Sequence, residues 1–143
     1  MVKMSRRQNS IGASDFVLPL EAGDRHDKLI LFVPSHDKKN VAIPDQTIWA
    51  DAACELFSKL FRGATAFRAL TGVFRTDAGE TLKDTPILVE SYAERAKTLD
   101  ALKSDTLRDF ALRMGSETKQ DTVALIVNDF IHFMPIRSQN DGR

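Results

Sequence analysis

Two short, uninterrupted apolar runs constrain the fold of this chain more than any other feature. Leu29–Val33 and Val123–Val127 contain no polar side chain. Each run is far shorter than the roughly 20 apolar residues that a membrane-spanning helix needs. A short, β-rich run of this kind predicts a strand that is buried on both faces. We therefore expect both runs to be strands of a sheet whose two faces are covered.

The rest of the chain alternates between helical and strand-like patterns. Apolar residues spaced by four predict helices over residues 48–62 and 98–114, with Asp45 as an N-cap and with Gly63 and Gly115 as C-terminal stops. Further strands are predicted at residues 71–76, 87–92 and 130–134, with turns at 77–79 and 128–129. The residues predicted to be buried are Leu31, Trp49, Leu56, Leu60, Phe110 and Leu125.

The order of these elements is strand, helix, strand, strand, helix, strand, strand. Right-handed crossovers through each helix then give an α+β fold, a ferredoxin-like β-α-β-β-α-β sandwich with a C-terminal β-hairpin extension. Both helices should cover one face of the sheet. The predicted domain organisation is a flexible N-terminal arm (residues 1–27), the ferredoxin-like domain (28–136) and a disordered tail (137–143).

Several local motifs are similar to those of a poorly characterised family of small bacterial ferredoxin-like proteins. The motifs are Phe32–Asp37, Trp49, Phe57–Thr65, Gly72–Gly79, Arg113–Gly115 and Gln120. The resemblance covers residues 28–134 and departs from the family at Arg62-Gly63, where the family often has two glycines. It implies the fold and transfers no activity.

Composition limits the classes of protein to which the chain can belong. Twenty basic and twenty acidic side chains give a formal net charge of zero, which argues against binding to nucleic acid through the phosphates. Cys54 is the one cysteine, which fits a reducing cytoplasm, and no apolar run predicts a membrane anchor. Phosphate-binding glycine loops are missing as well, so no cofactor is predicted.

The candidate catalytic residues are few. Ser35, His36 and Asp37 follow the first apolar run, but adjacent side chains in extended chain point to alternate sides and cannot form a triad. Asp37 with His36 is an alternative metal site. Glu90 lies in an otherwise apolar strand, either as a buried acid or as a solvent-facing side chain directed at Arg75.

Two further groups of residues complete the candidates. The histidines His26, His36 and His132 have no ligand spacing that predicts a zinc site. A weak basic and aromatic pattern, with features of a surface for single-stranded nucleic acid, comprises Arg62, Phe67, Arg68, Phe74 and Arg75.

The apolar composition of the central strands leads to the functional prediction. The face of the sheet without helices should be apolar and should be covered by a partner or by the segment around Phe16 and Leu18. The predicted interface residues are Phe16, Leu18, Ile30, Phe32, Phe130 and Phe133. We therefore predict a non-enzymatic interaction protein, which is a self-associating protein or an accessory or inhibitory subunit of a bacterial multi-protein system. The alternatives are a small dimeric metal-dependent hydrolase or nuclease that uses Asp37, and a small-ligand-binding module.

Overall fold

The computed structural model describes residues 25–137, which form seven strands and three helices. The predicted interface residues Phe16 and Leu18, most of the predicted arm and most of the predicted tail lie outside the described residues. The elements are β1 (His26–Val33), α1 (Gln46–Phe61), β2 (Thr65–Arg68), β3 (Gly72–Arg75), β4 (Thr81–Asp84), β5 (Ile87–Glu94), α2 (Arg95–Lys103), α3 (Asp105–Glu117), β6 (Thr122–Val127) and β7 (Phe130–Pro135).

Five of the strands form one antiparallel sheet in the order β2-β5-β1-β6-β7. The first apolar run lies in β1, at the centre of this sheet, and the second lies in β6 beside it. β5 pairs with β1 along the whole of its length. The predicted class, an α+β fold with an antiparallel sheet, is confirmed, and so is the C-terminal hairpin of β6 and β7.

One face of the sheet carries the core. Leu29, Leu31 and Val33 of β1 are fully buried, and they point to the same side as the buried residues of β5 and β6. The helices contact this side of the sheet. Of the six residues predicted to be buried, four are buried, whereas Leu56 and Leu60 are only partly buried at the edge of the core.

The second predicted helix is in fact two helices. Ser104 has an extended backbone (φ −76°, ψ 152°) and separates α2 from α3. Gly115 does not end the helix as predicted but lies inside α3. A Cβ atom at this position would collide with Ile136 Cδ1 and would come within 2.7 Å of Val123 Cγ2, so glycine lets α3 approach the sheet closely.

The strand predicted at residues 71–76 is present as β3, but it does not lie in the main sheet, where the ferredoxin-like order placed it. β3 does not join the main sheet but pairs with β4 in a separate two-stranded hairpin, which we call the β3–β4 arm (residues 72–84). The strand beside β5 is instead β2, whose four residues are all exposed. A strand with so little burial has no apolar periodicity, and the sequence pattern therefore gave no sign of it.

The start of α1 agrees with the sequence prediction, whereas the residue that ends it differs from the prediction. α1 begins after Asp45, as predicted, although the Asp45 side chain makes no capping hydrogen bond. Its C-terminal left-handed residue is Arg62 (φ 76°) and not Gly63. α1 has 16 residues, and no helix within residues 25–137 is both long and apolar enough to cross a membrane.

Asp27 ties three elements together at the start of β1. Its Oδ1 accepts a hydrogen bond from Asn128 Nδ2 (2.9 Å) in the β6–β7 turn and lies 3.4 Å from Arg95 Nη2 at the start of α2. The side chain is buried. The Asn128 amide is the main cause that holds the pKa of Asp27 below its usual value of 3.8, and Arg95 lowers this pKa further.

A lowered pKa in the folded state makes the stability depend on acid. The contribution of Asp27 is fully present above its unfolded pKa of about 3.9 and is lost as the pH falls through the lower folded value. We therefore expect the melting temperature of the wild-type protein to fall as the pH is lowered from about 5 to about 2, and we expect the melting temperature of the Asp27→Asn variant to fall less steeply. Equal slopes of melting temperature against pH for the two proteins would contradict this role of Asp27.

Candidate functional site

The face of the sheet that lacks helices carries a strip of alternating residues on β5. Leu88, Glu90 and Tyr92 point to this open face, because Ile87, Val89 and Ser91 are buried on the helical side. Since successive side chains on one face are two residues apart, the strip is about 13 Å long. It is flanked by Lys28, Ile30 and Phe32 of β1 and by Thr65 and Phe67 of β2.

Charged and aromatic groups meet at one end of this strip. Lys28 Nζ lies 3.2 Å from Glu90 Oε2 and 5.9 Å from the centroid of the Tyr92 ring. The Glu90 side chain is only 17% exposed although it lies on the open face. The hydrogen bond between Glu90 and Lys28 is the main cause that raises the pKa of the Lys28 ammonium, and the negative charge of Glu90 raises this pKa further. Lys28 therefore stays protonated at neutral pH. The end of the strip thus holds a cation, an anion and a π face within contact of one another.

A shallow cleft of about 340 Å³ adjoins this cluster. It lies between the β5 side chains and the segment that leads from α1 into β2, and its lining is Gly63, Ala64, Thr65, Glu90, Ser91 and Tyr92. The Ser91 hydroxyl donates to the Gly63 carbonyl oxygen and fixes that segment against the sheet. The cleft can therefore hold a small polar group beside the Glu90 carboxylate. The other end of the strip, at Leu88 and Phe67, is apolar.

The Ser35-His36 pair forms a hydrogen-bond cluster with Asp84 of β4. Ser35 Oγ lies very close to Asp84 Oδ1, lies 2.6 Å from His36 Nδ1 and accepts the Thr85 backbone N–H at 2.9 Å. The Asp84 carboxylate can only accept a hydrogen bond, so the Ser35 hydroxyl donates to it. His36 Nδ1 must then donate to Ser35.

This direction of donation decides what the cluster can do. A histidine that donates to a serine cannot remove its proton, so the arrangement is the reverse of a catalytic triad. Ser35 is buried and joins the end of β1 to the base of the β3–β4 arm through Asp84 and Thr85. These hydrogen bonds position the base of the arm.

Asp37 organises a loop. Its Oδ1 accepts the backbone N–H groups of Lys39 (2.8 Å) and Val41 (3.0 Å). The Val41 hydrogen bond is the main cause that lowers the pKa of Asp37. Among residues 25–137, no three His, Cys, Asp or Glu side chains converge on a point that could hold a metal ion. The structure therefore does not place Asp37 and His36 in a shared ligand set.

The predicted interface residues within the described range do not all share one surface. Ile30 and Phe32 lie on the open face and are half-buried, and Phe133 is opposite Ala124 on the same face. Phe130 is opposite Val127, on the helical side, although its edge position leaves it exposed. Sequence alternation along β7 places these two phenylalanines on opposite faces, since they are an odd number of residues apart.

The arginines of the basic and aromatic pattern lie on different elements. Arg62 is the C-cap residue of α1, and Arg75 is in the β3–β4 arm. Arg68 Nη1 donates to Gln46 Oε1 at 3.2 Å on the helical side of the sheet. The pattern in the sequence therefore does not correspond to one strand surface that stacks bases.

Two solved structures share this fold. No family model and no curated protein matches the chain. A phage SAM lyase in complex with S-methyl-5'-thioadenosine matches with a TM-score of 0.55 and 10% identity, over 83% of this chain and 96% of the lyase. A phage SAM lyase in its apo state matches with a TM-score of 0.54 and 10% identity, over 87% of this chain and 99% of the lyase. The likeness therefore concerns the whole fold.

These matches correct the predicted function. The prediction of a non-enzymatic interaction protein is contradicted, because the structural neighbours are phage SAM lyases, which are enzymes that degrade S-adenosylmethionine. The Asp37 metal-hydrolase alternative also finds no support in the loop geometry described above. Sequence reasoning noticed Glu90, and Phe67 as part of the basic and aromatic pattern, but missed Lys28 and Tyr92. The signal for Tyr92 was the alternation of Leu88, Glu90 and Tyr92 on β5.

Proposed function

We propose that this chain binds S-adenosylmethionine on the open face of its sheet and cleaves it to S-methyl-5'-thioadenosine. The observation that carries the proposal is the order of chemical groups along the β5 strip: an aromatic and apolar end, a carboxylate, and an ammonium beside a tyrosine ring. The match to the fold of phage SAM lyases supports the choice of ligand.

Each part of S-adenosylmethionine has a counterpart in this order. Phe67 and Leu88 offer an apolar surface on which the adenine ring can stack. Glu90 offers a negative charge to the sulfonium. At the far end, Lys28 can bind the ligand carboxylate, and the Tyr92 ring, which already attracts the Lys28 ammonium, can accept the ligand ammonium on its π face.

Release of S-methyl-5'-thioadenosine breaks the bond between the sulfonium sulfur and Cγ of the aminobutyryl group. The bonding pair moves to sulfur, which becomes a neutral thioether. Without water, Cγ can be attacked by the ligand's own carboxylate oxygen to form a lactone, or a base can remove a Cβ proton to form an alkene. The first route needs no base. It agrees better with a Glu90 that is already paired with Lys28.

The apolar surroundings of the strip favour a reaction in which charged groups of the substrate become neutral in the products. The sulfonium and the attacking carboxylate are both charged in the substrate and both neutral in the products. Apolar neighbours such as Ile30 and Leu88 solvate the charged ground state less well than water does, so they lower the barrier. In this mechanism Lys28 orients the ligand carboxylate and Glu90 positions the sulfonium.

We also propose that the topology belongs to the ferredoxin-like class. The order β2-β5-β1-β6, with helices after the first and third of these strands in sequence, supports this assignment. β7 and the β3–β4 arm are then additions to that pattern. The single cysteine and the use of an intracellular metabolite support a cytoplasmic location.

Thermal melting with ligands tests whether the site binds this class of molecule. A ligand that binds only the folded state at about 100 times its dissociation constant adds about 2.7 kcal/mol to the stability. We expect both S-adenosylmethionine and S-methyl-5'-thioadenosine to raise the melting temperature, and we expect ATP and adenine to have much weaker effects. Equal melting temperatures with and without saturating S-adenosylmethionine would contradict the proposal.

A further inference from the structure

The Lys28 ammonium occupies the position that a cation from outside would need in order to reach the β5 strip. Its Nζ lies 3.2 Å from Glu90 Oε2 and 5.9 Å from the centroid of the Tyr92 ring. Tyr92 is directly opposite Lys28 in the register of β1 and β5, and Glu90 is diagonal to it. Within residues 25–137, Glu90 forms an ion pair with Lys28 alone. Lys28 is thus the resident cation of this carboxylate and this π face.

The backbone of Lys28 is held in place, whereas its ammonium is not. The Lys28 N–H donates to Asn128 Oδ1 at 2.9 Å, and the Lys28 carbonyl oxygen accepts the Asn128 N–H at 2.8 Å. The ammonium is carried on a flexible four-carbon stem, and the side chain is 44% exposed. An ion pair that is partly open to solvent contributes little net stability. The ammonium can therefore leave Glu90 without any movement of β1.

The ligand of the proposed function brings two cations and one anion to this cluster. Its sulfonium would face Glu90 and its ammonium would face the Tyr92 ring, and both of these groups contact Lys28 in the free protein. Cations at contact distance repel one another, so Lys28 has to give up both positions. The ligand carboxylate offers the displaced ammonium a new partner. A ligand that lacks a carboxylate offers it none.

From this exchange of partners we infer that Lys28 is a displaceable internal cation that selects ligands with an amino-acid carboxylate. In the free protein it neutralises Glu90 and competes with any cation that approaches the strip. A zwitterionic aminobutyryl group draws it away, whereas a ligand with cations alone has to displace it without compensation. The inference rests on the proposed function and narrows its substrate class to sulfonium nucleosides that keep the carboxylate.

Binding of three ligands to the wild type and to Lys28→Met tests this inference by isothermal titration in the cold. Methionine keeps an unbranched apolar stem and removes the charge. Decarboxylated S-adenosylmethionine, which keeps both cations, should bind about 5-fold more tightly to the variant, because the competing ammonium is gone. S-adenosylmethionine should bind no more tightly than before, because its carboxylate loses a partner. S-methyl-5'-thioadenosine, which has neither charged group, should bind equally to both proteins.

Two further variants make the result specific to this position. Lys59 lies 3.2 Å from Glu55 Oε1 on α1, the same separation as that between Lys28 and Glu90, and Lys59→Met should leave all three affinities unchanged. Lys28→Arg keeps the cation and should keep the preference for the carboxylated ligand. Melting curves verify that each variant is folded.

An unchanged ratio between the affinities for S-adenosylmethionine and its decarboxylated analogue in Lys28→Met would overturn the inference. So would weaker binding of the decarboxylated analogue to this variant. A wild-type protein that binds none of the three ligands would overturn the proposed function, and the inference with it.

NMR spectroscopy of the lysine ammonium groups gives a second readout on the wild-type protein. The Lys28 resonance is assigned by its absence from the spectrum of Lys28→Arg. We expect it to shift on addition of S-adenosylmethionine, because the ammonium changes partner, and to stay in place on addition of S-methyl-5'-thioadenosine. A Lys28 resonance that does not move when the protein is saturated with S-adenosylmethionine would show that the Glu90 pair persists and would overturn the inference.

Discussion

Replacing Glu90 by glutamine is expected to weaken the binding of S-adenosylmethionine by roughly 10- to 100-fold, the range for loss of a hydrogen bond or contact to a charged group. The effect should appear mainly in KM, because the sulfonium charge that Glu90 faces is already fading in the transition state. Isothermal titration and initial rates measure the two effects separately. The turnover number should change much less.

Two controls make this result specific. Glu55→Gln changes the same side chain on α1, where Glu55 is exposed and pairs with Lys59, and it should bind like the wild type. S-adenosylhomocysteine has a neutral sulfur, so its affinity should depend less on Glu90. A Glu90→Gln variant with unaltered affinity for S-adenosylmethionine would remove Glu90 from the site.

The largest effect on stability is expected for Phe57→Ala. Phe57 of α1 is fully buried in the core. Its ring packs edge-to-face against that of Phe61, with ring centroids 5.4 Å apart. Truncation of a buried phenylalanine removes its transfer free energy and leaves a cavity, which together cost about 3–5 kcal/mol. This is a large share of the roughly 5–15 kcal/mol by which such domains are stable.

Urea unfolding followed by the fluorescence of Trp49 measures this loss. Ile48→Ala on the same helix is the control, because an exposed substitution should change the free energy of unfolding by less than about 0.5 kcal/mol. A Phe57→Ala variant that loses less than about 1 kcal/mol would show that the core under α1 is not packed as described.

The parts of the fold that bury apolar surface could be predicted from the sequence. The runs at Leu29–Val33 and Val123–Val127 became β1 and β6, and the period of four in α1 placed Trp49 in the core. β2 could not be predicted, because its four exposed residues carry no periodic signal. The β3–β4 arm has strand-like composition, but composition does not reveal that a hairpin leaves the main sheet.

The candidate site was less accessible to sequence reasoning than the fold. Lys28 and Tyr92 face each other only because β1 and β5 pair in one particular register, and Glu90 reaches Lys28 across the same pair of strands. A shift of β5 by one residue against β1 would send Glu90 and Tyr92 to the helical side and separate them from Lys28. The Ser35 cluster likewise depends on Asp84, which is distant in sequence and comes close only through the arm.

Cleavage of S-adenosylmethionine is tested most directly by incubation of the purified wild-type protein with S-adenosylmethionine, followed by mass spectrometry of the products. We expect release of S-methyl-5'-thioadenosine together with a four-carbon lactone, without incorporation of solvent oxygen into the lactone at early times. Unchanged S-adenosylmethionine in the presence of folded protein, or cleavage at a bond other than that between sulfur and Cγ, would contradict this expectation.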